Sequence, residues 1–163
     1  MTEDGTPLRR LLGTTAPAAT VLVRIAVAVV FVSEGLQKFV YPAALGAGRF
    51  AKIGIPAPEV MGPFVGVVET VCGTLVLLGL LTRLAAVPLV IDMLVAIAST
   101  KLPTLIGHGY FLFSGPSGAK SGLFAMLHEA RTDLSMLCAS AFLFCVGAGA
   151  PSLDHRLSQR RSP

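Results

Sequence analysis

With 163 residues the chain is long enough for one domain and too short for two of ordinary size. Its residues are 53% hydrophobic and 13% charged, against roughly 25% charged in a water-soluble domain, and its mean hydropathy is +0.75; a soluble fold this small cannot hide so much apolar surface, whereas lipid can accept it. The net charge of +4 gathers toward the ends, at Arg9, Arg10, Arg156, Arg160 and Arg161, without interleaved aromatics, which argues against a nucleic-acid partner and for basic flanks of membrane helices, with the lipid bilayer as the first partner.

The first apolar run begins after Thr14 and Thr15, either of which can cap a helix, with Pro17 suited to the first turn. It reaches about Val40, where Tyr41-Pro42 stops it. Twenty-odd residues at about 1.5 Å each cross a hydrocarbon core of about 30 Å. Arg9 and Arg10 precede this run as they would in a signal peptide, but Arg24 interrupts it and no small-residue cleavage site closes it. An uncleaved first helix is expected. The stretch Ala43–Glu59 is rich in Gly and Pro, and RFAKIGIP within it predicts a short interfacial helix.

A second run spans about Val60–Leu81, with Pro63 in its first turn, and a third starts at Leu84 and ends near Lys101-Leu102-Pro103. The polar break between them is Thr82-Arg83, short enough to force a tight helical hairpin. Gly107, Gly109, Gly115, Pro116 and Gly118 mark a connection, and Ala119–Arg131 predicts an amphipathic lead-in to a fourth run over Thr132–Ala148. The expected fold is therefore all-α, a four-helix transmembrane bundle, multi-pass in the cell (inner or plasma) membrane. Its membrane domain covers residues 15–152, between tails at 1–14 and 153–163. Arg9, Arg10, Arg83, Arg156, Arg160 and Arg161 fall on one side, against Arg49, Lys52, Lys120 and Arg131 on the other. This bias places both termini in the cytoplasm. Phe39, Tyr41, Phe50, Tyr110, Phe111 and Phe113 would then form an aromatic belt at the outer interface.

The informative residues are ionisable ones inside the apolar runs. Each charge near a bilayer centre costs at least a few kcal/mol, so such groups are expected to face a partner or a wet cavity. Counting from the helix ends puts Arg24 and Asp92 both roughly 12 Å from the cytoplasmic side, where they can pair and fix helix register. Glu34 and Lys38 are four apart and share a face near the outer end of the first helix. Glu69 falls near mid-membrane with no mate at its own depth, leaving it for a proton or a substrate group. Asp133 opens the fourth helix, and Lys101 is expected to reach back to the headgroups. Faces agree with an inward placement: Gly62, Gly66, Glu69 and Gly73 make one stripe, as do Arg24, Phe31, Gly35 and Lys38; Asp92, Ala96 and Ser99; and Asp133, Ser140 and Gly147. The candidate buried polar site is thus Glu69, Lys38, Glu34, Arg24, Asp92 and Asp133.

Cys72, Cys138 and Cys145 lie in apolar stretches without a CxxC pair and are expected to act as small packing residues. His108 and His128 fall in the outer connection, too far apart for a metal motif, so no metal site is expected. No flavin, haem or iron–sulfur motif is present either, and any electron transfer would need a partner.

Several segments together resemble the DoxX family of small bacterial membrane proteins: RIAVAVVFVSEGLQKF, FAKIGIPAPEV, VVETVCGTLVLLGLLTRLAA and GAGAPSLDHRL. Gly35-x-x-Lys38, Gly54-x-Pro56, Glu69-x-x-x-Gly73 and Ser152-Leu153-Asp154 carry the resemblance in order along most of the chain. It implies a four-helix bundle in the inner membrane and a link to quinone-coupled thiosulfate oxidation or to complexes handling oxidative and thiol stress. The family's lysine of the first helix and glutamate of the second fall on Lys38 and Glu69, and its acidic residue opening the fourth helix on Glu129 or Asp133. The cysteine pair of a thiol oxidoreductase is missing, which argues against direct thiol chemistry.

The expected function is a redox-associated membrane subunit holding a quinone, with no covalent cofactor, beside a partner oxidoreductase. Homo-oligomerisation stays open, as does whether the chain is an enzyme. The rival readings are a small proton-coupled carrier or permease, using the same carboxylates as a relay, and a non-catalytic membrane scaffold.

Overall fold

The computed structural model describes residues 14, 16–116, 118 and 120–159; Arg9, Arg10, Thr15, Arg160 and Arg161 lie outside them. Long apolar segments in oil must satisfy their own backbone groups, and a helix does so within one segment. Helices account for nearly all the regular structure among the described residues. The exception is an isolated antiparallel bridge between Tyr110 and Phe113.

Helix α1 covers Thr20–Val40, α2 Ala47–Ile53 and α3 Pro58–Leu78. Helix α4, Thr82–Ala96, runs through a π-helical turn at Ile97–Lys101 into α5, Leu102–Ile106. Helix α6 covers Leu123–Val146 and α7 Leu153–Gln159. Three spans are long and apolar enough to cross a membrane: Thr20–Val40, Pro58–Leu78 and the continuous Thr82–Ile106. Helix α6 has the length, at 24 residues, but carries Glu129, Arg131 and Asp133 in its first half.

The boundaries have local causes. Helix α1 starts later than Thr14 and Pro17 suggest, because Thr14 is used elsewhere. Its hydroxyl donates to the Val146 carbonyl at 3.1 Å and accepts the Gly149 N–H at 2.9 Å, tying the approach to α1 onto the end of α6. Pro42 has no N–H to extend α1, and Tyr41 closes it on Gln37 O at 2.8 Å. The short helix expected near residue 50 is α2, and Gly54 ends it at φ +89°. Helix α3 ends on Gly79 at φ +65°, and α4 restarts at Thr82 after two further residues.

Helices α1 and α3 form one close pair, α4 and α6 another; α3 and α4 join the pairs, whereas α1 and α6 meet over a narrow strip. The α1–α3 approach depends on small residues. A Cβ added to Gly35 would lie 2.7 Å from Gly66 O, and one on Gly73 2.9 Å from Val32 Cγ2. The stripe Gly62, Gly66, Glu69 and Gly73 is buried as its spacing predicts. All four long helices contribute to the core: Val27 and Phe31 from α1, Val76 from α3, Leu89 and Met93 from α4, Leu143 from α6. Opposite faces leave Leu22, Val29, Val60, Ile91 and Phe144 exposed, a distribution that suits lipid and not water.

The aromatic belt is divided. Phe39, Tyr41 and Phe111 are exposed, Phe50 is buried, and the Tyr110 hydroxyl donates to Ala98 O at 2.6 Å.

Candidate functional site

Buried charge collects in two places, one at the hairpin end of the helices and one around their middle and opposite end. At the end where α3 turns into α4, Arg24 is 3% exposed, and its guanidinium donates to four carbonyls. Nε reaches Val76 O at 2.9 Å, Nη2 Leu77 O at 2.6 Å, and Nη1 Pro151 O at 2.7 Å and Ala148 O at 3.3 Å. The last carbonyls of a helix have no intrahelical donors, and Arg24 serves those of α3 while holding the chain that leaves α6. Arg24 does not pair with Asp92. The expected match in depth assumed a helix start near residue 15, whereas α1 begins at Thr20, so Arg24 sits one turn from its end and Asp92 ten residues along α4.

Asp154 completes this end. Its carboxylate, 1% exposed, accepts the N–H of Leu81 at 2.7 Å and of Thr82 at 3.0 Å, capping α4 from α7. Sequence reasoning gave Asp154 no structural task beyond its place in the Ser152-Leu153-Asp154 motif. A usable signal was present: Leu81 immediately before α4 has no side-chain acceptor, so the first N–H groups of α4 needed one from elsewhere.

The other end is built differently. Helix α1 carries Lys38 one turn beyond Glu34, and α3 carries Glu69 on its glycine stripe. The close backbone approach lets Lys38 Nζ meet Glu69 Oε2 at 2.5 Å, with the side chains 10% and 4% exposed. Lys38 also reaches Glu34 O at 3.4 Å. From α4, Asp92 stands within hydrogen-bond reach of the Glu69 carboxyl, and its buried Oδ2 has no hydrogen-bond partner among the described residues. Leaving a buried acceptor unmet costs about 1–3 kcal/mol, more for a charged one, so this atom calls for a donor. Two carboxyls that approach so closely can bond each other only through a proton.

These groups form the floor of a cavity of about 630 Å³, within the roughly 300–1,000 Å³ that drug-sized ligands occupy. Its walls are mostly apolar, among them Phe31, Met61, Val65, Met93, Phe113 and Met136, and α2 contributes Arg49 and Phe50 to the lining. Of the six site residues predicted from sequence, Glu34, Lys38, Glu69, Asp92 and Asp133 line this one cavity; Arg24 lies at the other end.

The α4–α6 wall carries a second charge pair, Lys101 Nζ to Asp133 Oδ2 at 3.3 Å. Lys101 was expected to reach toward the headgroups. The π turn at Ile97–Lys101 adds a residue to the helical turn and swings Lys101 onto α6 instead. One turn further, the Thr104 hydroxyl donates to Glu129 Oε2 at 3.1 Å. Glu129 thus braces α5 against α6, while Asp133 faces the cavity. Along the same wall Ser99 and Thr100 donate their hydroxyl protons to Ala96 O, at 3.3 and 2.7 Å. The sequence singled out Ser99 by its stripe but not Thr100, because a hydroxyl bonding back along its own helix leaves no mark in hydropathy.

The cysteines take no part. Cys138 and Cys145 are exposed on α6 and Cys72 is half-buried.

Apolar helices with lipid-facing exteriors and a polar cavity define the class, an all-helical membrane protein. The chain belongs to the DoxX family, whose pattern its residues 19–102 match. Over 151 residues it is 53% identical to the uncharacterized membrane protein Rv3486 of Mycobacterium tuberculosis, an alignment covering 93% of this chain and 88% of that one. No solved structure matches it.

Proposed function

We propose that the protein is a quinone-binding membrane subunit that works beside a partner oxidoreductase. In this reading α6 is the fourth membrane-crossing helix, and both termini lie on the cytoplasmic side of the plasma membrane. The observation that carries the proposal is the cavity: a Lys38–Glu69–Asp92 cluster at the floor of an apolar chamber suits a ligand with a small polar head and an apolar body. Reducing a quinone to its quinol takes two electrons and two protons. The partner would supply the electrons. Glu69 and Asp92, sharing one proton, would pass it to one ring oxygen and relay a second from water at the cavity mouth to the other, and Lys38 would orient the head.

Purification in mild detergent, followed by extraction and mass spectrometry of co-purifying lipids, tests the reading. A quinone retained by the wild type and lost from Glu69→Gln is expected. If the protein retains none and reconstituted vesicles instead accumulate a solute with protons, it is a carrier and the proposal fails.

A further inference from the structure

The hydrogen-bonding character of the cavity narrows its ligand, and this step rests on the quinone reading. Apart from Lys38, Arg49 and the Thr132 hydroxyl, the polar side chains that line the cavity present acceptors. Asp92 Oδ2 is buried and unpartnered. Ser99 and Thr100 have given their protons to Ala96 O, so only oxygen lone pairs are left facing the cavity. Lys38 is the one cation at the floor, and two of its three donors are taken, by Glu69 Oε2 and Glu34 O. Arg49 is rich in donors but exposed. Glu34, Glu69, Asp92 and Asp133 line the cavity with Lys38 and Arg49, and Lys101 is committed to Asp133; with one proton shared by Glu69 and Asp92 these charges balance, so selection rests on hydrogen bonding. A head group that only accepts hydrogen bonds would face these oxygens with repulsion, whereas one that donates would meet the Asp92 carboxylate.

We infer that the cavity selects a head group that donates hydrogen bonds, and so holds the quinol form of its ligand in preference to the quinone. A quinone ring presents two carbonyl acceptors; the quinol presents two O–H donors, one for the Asp92 carboxylate and one for the Ser99–Thr100 side. Tighter binding of the reduced form raises the midpoint potential of the bound couple, by about 30 mV for each tenfold preference in a two-electron couple. A quinone entering this site becomes a better electron acceptor, which makes the site a sink for electrons from a partner.

The test uses the full chain in lipid nanodiscs with decylubiquinone, its reduced quinol kept anaerobic, and decylamine as a donor head of unrelated chemistry, each titrated by calorimetry. The quinol is expected to bind at least about tenfold more tightly than the quinone. Asp92→Asn, which puts an amide donor where the lone acceptor was, is expected to bring the two forms near parity. Should Asp92→Asn fail to fold, the potential of decylubiquinone bound to the wild type, measured by redox titration, is expected to lie about 30 mV or more above the free couple. Equal or tighter binding of the quinone, an unshifted or lowered potential, or an unchanged ratio in a folded Asp92→Asn overturns the inference and leaves the quinone reading in place. Decylamine bound with neither quinone form overturns the quinone reading and keeps the donor requirement. No binding by any of the three overturns both.

Discussion

The two ends of this molecule treat buried charge in opposite ways. At the hairpin end, Arg24 and Asp154 are almost fully enclosed, and backbone groups meet them: carbonyls of Val76, Leu77, Ala148 and Pro151 for the guanidinium, N–H groups of Leu81 and Thr82 for the carboxylate. At the cavity end, Lys38 and Glu69 meet each other, and Asp92 beside them keeps an oxygen unmatched. Charge satisfied by backbone clamps segments together, whereas charge left partly unmet beside open volume makes a site.

The sharpest way to break that contrast is at the hairpin end. Arg24→Leu removes the donor to four carbonyls and leaves Asp154 without its nearby cation. A loss on the order of 3–5 kcal/mol is expected, read as a marked fall in thermal midpoint by circular dichroism in detergent. The fraction that remains folded should bind cavity ligand with unchanged affinity; a ligand defect equal to that of a cavity mutant would erase the distinction between the ends.

Lys38→Met makes the converse change. Without its cation the buried Glu69 can take up a proton instead of staying charged, so stability is expected to change by less than about 2 kcal/mol. Quinone affinity should fall at least about tenfold and quinol affinity by less, measured by the same calorimetry. A smaller effect separates the walls from the floor: Thr104→Val removes one hydrogen bond to Glu129 and is expected to cost about 1 kcal/mol, with ligand binding close to wild type. At the bottom of the scale, Cys138→Ser on the exposed face of α6 should stay within about 0.5 kcal/mol of wild type and leave ligand binding intact. A strong effect there would mean that the outer face of α6 is occupied by a partner.

Much of the site was legible before any coordinates. A carboxylate amid a glycine stripe, as Glu69 is, has one sensible orientation, because the stripe marks the face where helices touch. Lys38 on the matching stripe of α1 was placed inward for the same reason, yet its pairing with Glu69 was not foreseen. Depth counted along two separate runs put Glu69 at mid-membrane and Lys38 at the mouth, and a side chain as long as lysine spans that difference. The Arg24–Asp92 pairing failed through the same arithmetic. Thr14 left its capping role to hold Val146 and Gly149, and the start of α1 moved by several residues.

By its own content the sequence determined the four long helices, their lipid-facing exteriors and the inward face of the glycine stripe that carries Glu69, because hydropathy and 3.6-residue spacing are local properties. Which charges meet is decided by tertiary structure alone. The π turn that carries Lys101 to Asp133, the reach of Asp154 across to the start of α4, and the unmet oxygen of Asp92 depend on where helices distant in sequence come to rest. A hydrogen bond is made or lost over less than an ångström, a scale that residue counting along separate helices does not resolve.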